Sequence, residues 1–238
     1  MNFFDFYCNI KSLVVGIIII FISFSANSQT HLLDTSERKI MTRVGITSSL
    51  LFGTSLLLDK PIQNTVNNNR NSYLDDFTNY ANYGGSKKLV IPVNALLLSS
   101  GFLFNNETLK TTSWNAFKSI GAAALATELM KLSFSRARPY KHQGPYHFNP
   151  ISWRNNTYKS LPSGHTSLAF AFITPYAEEY SRWLYAIPLS VAFSRVYKND
   201  HWTSDAILGS IIGFTAGYFF QHKDWHVTVS FNKIVIRF

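Results

Sequence analysis

Cysteine is all but missing from this 238-residue chain, with Cys8 the single one. It precedes the first apolar run, so the mature chain is expected to have none. That excludes disulfides, cysteine catalysis and thiolate metal sites. Acidic residues are also scarce, 13 against 22 lysines and arginines, for a formal charge of +9. A surface this basic suits anionic substrates, anionic lipid headgroups or nucleic acid. For nucleic acid the usual vehicles are lacking: there is no zinc-finger spacing, no basic heptad region and no RNP-type aromatic strand. Nucleic acid is therefore not an expected partner. Long hydrophobic runs are missing too, and mean hydropathy is only +0.01, low for a chain built wholly of membrane spans.

The first apolar run, Leu13 to Phe24, falls short of the roughly 20 residues that a span needs. Lys11 precedes it, and Ala26 and Ser28 follow as a small-x-small pair. Residues 1–28 thus read as a secretory signal cleaved after Ser28. The competing reading is an uncleaved anchor, because Asp5 weakens the charge ahead of the run. Residues 29–238 are expected to form a single domain, long enough for a full core. Export without disulfides fits a bacterial cell envelope, with the protein facing the periplasm and either associated with the membrane or peripheral to it.

What is present is a series of apolar stretches separated by polar links, such as VGITSSLLFGTSLLL, FKSIGAAALATELMKLSF and DAILGSIIGFTAGYFF. They exceed strand length and do not alternate, so they predict helices buried nearly all round. The expected fold is all-α, a bundle of about six core helices with the site at helix ends on one side. The tail, residues 221–238, alternates about Asn232 and Lys233 and predicts a small β-hairpin. Two links are long. Residues 59–88 are rich in asparagine, and residues 139–162 hold four prolines, several aromatics and no acid.

Three polar stretches stand out. In SRVYKNDHWTSD, His201 and Asp205 are four apart, a spacing that puts them on one face of a helix and lets the carboxylate reach a ring nitrogen. An imidazole oriented in this way serves as a base, a nucleophile or a metal ligand. In KLSFSRARP, Lys131 and Arg138 lie two helical turns apart, and Pro139 turns the arginine out at the helix end. In SLPSGHTSLAF, Ser163 is suited to cap a helix whose free N–H groups form an anion site. Gly164 permits close approach to that backbone, and His165 follows in the first turn. Taken singly, each has a plain alternative: an exposed His–Asp pair, a solvated basic face, a capped helix start.

Taken together and in this order, the three resemble the signature motifs of the type 2 phosphatidic acid phosphatase superfamily, which also contains the vanadium-dependent haloperoxidases. All three are intact, at Lys131–Pro139, Pro162–His165 and Ser194–Asp205, and the resemblance spans about residues 85–220. It implies a phosphatase acting on phosphate mono- or diphosphate esters through a phosphohistidine. On that reading His201 is the nucleophile, His165 the general acid and Asp205 the residue that orients His201. Lys131, Arg138, Ser163, Gly164 and Arg195 bind the phosphate. Phosphoryl transfer is mostly positioning and charge stabilisation, so three cations and a helix N-terminus take the place that metal ions fill elsewhere. No metal and no cofactor is expected, and vanadate is expected as an inhibitor.

The rival readings are a vanadium haloperoxidase with vanadate as cofactor, a serine hydrolase using Ser163, and a non-catalytic membrane protein that binds polyanions. Haloperoxidases are usually much larger, a G-x-S-x-G elbow is absent, and no motif residue is missing. The implied partner is a phosphorylated substrate, lipid-linked, met at a membrane surface. The connector 139–162 is expected to pass beside the site mouth, carrying Lys141, Arg154 and Lys159 among aromatics.

Overall fold

The computed structural model describes residues 35–149, 155–222, 226–230 and 233–237. The expected signal segment 1–28, with Cys8, lies outside the described residues, as do Trp153 and Arg154 of the connector. Seven α-helices occur among the described residues: α1 Thr35–Asn68, α2 Ser72–Tyr83, α3 Lys87–Leu103, α4 Glu107–Phe134, α5 Gly164–Glu179, α6 Ala186–Tyr197 and α7 Thr203–His222. The chain divides into two compact units between Asp59 and Lys60. The site and everything described below belong to the second unit. The all-α expectation holds. The tail forms an antiparallel hairpin, β1 His226–Ser230 with β2 Lys233–Arg237, in register from His226↔Arg237 to Ser230↔Lys233.

The helices begin where the sequence offers an oxygen acceptor. Asn71, Ser86 and Asn106 each accept a hydrogen bond from a first-turn N–H, opening α2, α3 and α4. Side chains of this kind satisfy donors that the helix cannot. The core is built on α4, α5 and α7, and its buried cluster runs through Val90, Ala116, Ile120, Ala123, Ala171, Phe172, Ile173 and Tyr176.

Small residues bring α5 and α7 unusually close. Gly209, Gly213 and Gly217 recur every four residues along one face of α7, and a Cβ on any of them would run into α5, at Ser163, Ser167 or Thr174. The two helix starts are also tied directly, because the Ser163 N–H donates to the Asp205 carbonyl at 2.9 Å. One buried polar knot lies within the core: the Tyr176 hydroxyl meets Asn94 Oδ1 at 2.6 Å and Ser113 Oγ at 2.8 Å. Its hydroxyl is pushed up to about 12, chiefly by burial.

Candidate active site

The ends of α4 and α6 and the starts of α5 and α7 bring the three sequence stretches together. Helix α4 stops at Phe134 because Ser135 turns left-handed (φ 44°, ψ 53°), its N–H donating to the Lys131 carbonyl. Lys131 thus lies in the last turn, whereas Arg138 lies beyond the helix in extended backbone (φ −77°, ψ 154°). Arg138 is turned out of the helix as Pro139 leads one to expect, but the two residues do not share two turns of one helix. Pro139 excludes the helical region for Arg138, and the chain leaves the helix four residues before it. Residues 135–138 then run between two parts of the connector. Arg136 bridges Phe148, the Ala137 N–H donates to the His147 carbonyl, and the Ser160 N–H donates to the Arg136 carbonyl. The Arg138 guanidinium donates to the carbonyls of Asn156 (3.0 Å) and Asp200 (3.3 Å).

Ser163 occupies the N-cap of α5, but its hydroxyl makes no capping bond; it pairs with the Thr166 hydroxyl at 2.9 Å. Gly164 follows at close quarters with Lys131: a Cβ there would lie 2.9 Å from the Lys131 Nζ. The missing side chain is what admits the ammonium. Gly85, in the turn between α2 and α3, presses on the other side, where a Cβ would fall 2.5 Å from the His165 carbonyl oxygen.

A second correction concerns His201 and Asp205. Helix α7 opens at Thr203, so His201 precedes it and the two do not share a helix face. The His201 Nδ1 lies 2.7 Å from the Ser160 carbonyl and 3.7 Å from Asp205 Oδ2. The shorter contact is a hydrogen bond and the longer is not. The Asp205 carboxylate is occupied otherwise. It accepts from Arg136 Nη1 (2.6 Å), from the Ser160 hydroxyl (2.5 Å) and from the Trp202 N–H (2.9 Å). Asp205 therefore reaches His201 through Ser160: it fixes the residue whose carbonyl fixes the ring.

Sequence reasoning missed Arg136 and Ser160. Arg136 is fully buried and also donates to Ser204 Oγ and the Pro145 carbonyl. The signal in SRARP was a second arginine two residues before Arg138, but alternation cannot tell the two apart, since residues i and i+2 of an extended chain share a face. Only the contacts with Asp205, Ser204 and Pro145 single out Arg136.

The electrostatics follow from burial among cations. Burial lowers the His165 pKa to about 4, helped by the charges of Arg195, Lys131 and Arg138. Burial takes His201 to about 3, with Arg138 and Arg195 adding and Asp205 opposing. For Asp205 burial pushes upward, but Arg136 and the hydrogen bonds outweigh it and hold the carboxyl at about 2. Burial also lowers Lys131 and Arg195. Both imidazoles are thus neutral at pH 7 and Asp205 is ionised, inside a ring of positive charge suited to an oxyanion. Among the described residues no group of three His, Cys, Asp or Glu could hold a metal ion.

Residues 112–227 match the PAP2 superfamily. A lipid A 1-phosphatase of Porphyromonas gingivalis is 30% identical over 142 residues, covering 54% of this chain and 28% of that protein. One from Rhizobium etli is 29% identical over 102 residues, covering 41% of this chain and 44% of that protein. The chain thus spans under half the length of these curated relatives. Among solved structures, Aquifex aeolicus LpxE shares 23% identity and a TM-score of 0.55, over 68% of this chain and 94% of that one. A transmembrane PAP2-type phosphatidylglycerolphosphate phosphatase from Bacillus subtilis shares 17% identity and a TM-score of 0.54, over 87% and 93%. Those two likenesses speak for the fold. Over residues 112–227, and in this helical frame, the chain is similar to the PAP2 superfamily.

Proposed function

We propose that this protein is a metal-independent phosphatase acting on lipid-linked phosphate esters of the lipid A 1-phosphate kind, through a phosphohistidine on His201. The observation that carries the reading is the convergence of Arg138 and Arg195 on both His165 and His201, with Lys131 beside His165. The Ser160 carbonyl accepts a hydrogen bond from the Nδ1–H of His201, which leaves the Nε2 lone pair free to attack. The P–Nε2 bond forms as the P–O bond to the leaving alkoxide breaks, and His165 gives that oxygen its proton. Water then attacks phosphorus as the P–Nε2 bond breaks and its electron pair returns to His201; the water gives a proton back to His165, and inorganic phosphate leaves. Lys131, Arg138, Arg195, the Ser163 hydroxyl and the Gly164 N–H hold the equatorial oxygens.

In the free site His165 is the neutral imidazole, not the imidazolium, at neutral pH. A phosphate group offsets the three cations that depress it, so the proton arrives with the substrate or because of it. The relatives named as lipid A 1-phosphatases support a lipid substrate, and with it a place at the periplasmic face of an envelope membrane. No described helix is long and apolar enough to cross a membrane. Exposed Leu96, Phe102, Leu103, Trp114 and Trp183 offer apolar surface for association instead.

The test is phosphate release from lipid A carrying a 1-phosphate, followed by mass spectrometry of the lipid. Turnover is expected to survive EDTA, to be inhibited by orthovanadate and to fall to background in His201→Ala. Loss of activity in EDTA with recovery in magnesium or zinc would overturn the metal-free mechanism, and an active His201→Ala would overturn the nucleophile.

A further inference from the structure

The asparagine-rich segment that leads into and forms α2 is laid along the stretch that carries Arg195. The Asn67 carbonyl oxygen Oδ1 accepts from Asn199 at 2.6 Å, the Asn71 backbone meets the Tyr197 hydroxyl, and Arg70 lies over the Tyr197 ring at 5.0 Å. Asn79 Oδ1 accepts from Lys198 Nζ at 2.8 Å, and Asn82 Oδ1 accepts from Arg195 Nη1 at 2.6 Å. Two residues past the end of α2, Gly85 touches the backbone of His165. One end of this helix therefore bears on two members of the cradle.

The Arg195 contacts are specific to one nitrogen. Its Nη1 donates to Asn82 and is ion-paired with Asp200 Oδ2 at 2.9 Å. Its Nε is buried and has no hydrogen-bond partner among the described residues. A guanidinium binds an oxyanion best through two parallel N–H groups, and anchoring Nη1 turns the Nε edge away from its anchors. A buried N–H of this kind is costly unless an acceptor arrives. An amide at position 82 holds the cation without neutralising it, whereas a carboxylate there would compete with the phosphate.

We propose that Asn82 is a positioning residue for the phosphate site: it fixes Nη1 of Arg195 so that the Nε edge faces the phosphoryl oxygens. The proposal rests on the phosphatase reading, but it can be tested without turnover, by the affinity of the purified full chain for inorganic orthovanadate. Asn82→Leu, which keeps the volume and removes the acceptor, is expected to weaken vanadate binding about tenfold with little change in the melting temperature. Asn79→Ala, which loosens α2 at a lysine outside the cradle, should leave it unchanged. If Asn82 acts through Arg195, the two substitutions are not additive, so Asn82→Leu/Arg195→Ala should bind no more weakly than Arg195→Ala. Should Asn82→Leu fold poorly, Asn82→Ala carries the same expectation. Unchanged vanadate affinity, an equal loss in Asn79→Ala, or additive losses would overturn the assignment, as would a wild-type chain that does not bind vanadate. A wild type that binds vanadate yet hydrolyses no phosphate ester would refute the phosphatase reading and leave Asn82 to be judged by its variants.

Discussion

At the scale of single residues, the site combines groups whose protonation is set by where they are buried. Asp205 keeps its charge because Arg136 is buried against it, and the pair stands or falls together: removing one partner leaves an uncompensated charge in the interior. The histidines give a pH dependence with a definite sign. Both have native pKa values, about 4 for His165 and about 3 for His201, below the ordinary 6.5. The unfolded chain takes up protons on these rings below pH 6.5, while the native chain does not. Their contribution to stability is therefore whole above that pH and is lost as the pH falls towards 4 and 3. One such group contributes a slope of at most about 1.4 kcal/mol per pH unit. Asp205, with its native value lowered, contributes above its unfolded pKa of 3.8 and loses that contribution progressively as the pH falls to about 2. Denaturant melts between pH 7 and 4.5 should show stability declining with acid, and His201→Asn should decline less steeply. Parallel curves for the two proteins would mean that His201 is not held neutral by burial.

Among the elements, the contact between α5 and α7 sets the site's dimensions. Gly213 has no room for even a methyl group, since its Cβ would meet the Ser167 backbone and Phe170. Backbone cannot swing aside as a long side chain can, so Gly213→Ala should cost about 1–3 kcal/mol, as overpacking does, and part the two helix starts. The expected result is a lower denaturation midpoint with reduced kcat, whereas Gly121→Ala, on a residue with open space around it, should change neither. Equal behaviour of the two variants would refute close packing as the constraint. The glycines at 209, 213 and 217 were in plain view in the sequence but carry meaning only once the partner helix is known. The order and residue types of the three stretches were legible, and so was their place at helix ends. The helix boundaries around them were less so. Lys131 and Arg138 fit one helix by spacing alone, and only the left-handed turn at Ser135 shows the break. His201 and Asp205 fit one helical turn, yet the short loop from Lys198 to Trp202 claims the histidine. Contacts such as Ser160 to His201 and Asn82 to Arg195 join residues 41 and 113 apart in the chain, and no local pattern announces them.

For the whole molecule, the fold leaves large apolar side chains in water: Trp183 is 88% exposed, Leu103 79% and Leu96 68%. Patches of this sort mark association surfaces, and with the basic charge they favour an anionic bilayer. The protein should float with vesicles containing anionic lipid, and do so less as salt is raised. Trp183→Ser with Leu96→Ser should weaken flotation while sparing hydrolysis of a small aryl phosphate. Recovery of the wild type wholly in the unbound fraction, at low salt, would argue against a membrane-bound enzyme.

The tie between the Ser163 N–H and the Asp205 carbonyl, backed by the glycine face of α7, welds the two helix starts into one piece. Around it, Arg136 donates to Ser204, the Ala137 carbonyl accepts from Trp202, and the Ser160 carbonyl meets His201. A protein engineer could exchange residues 140–156 for the matching stretch of a relative with other tastes in substrate while keeping Arg136, Arg138 and Ser160, and the welded pair would still present its histidines at the same separation.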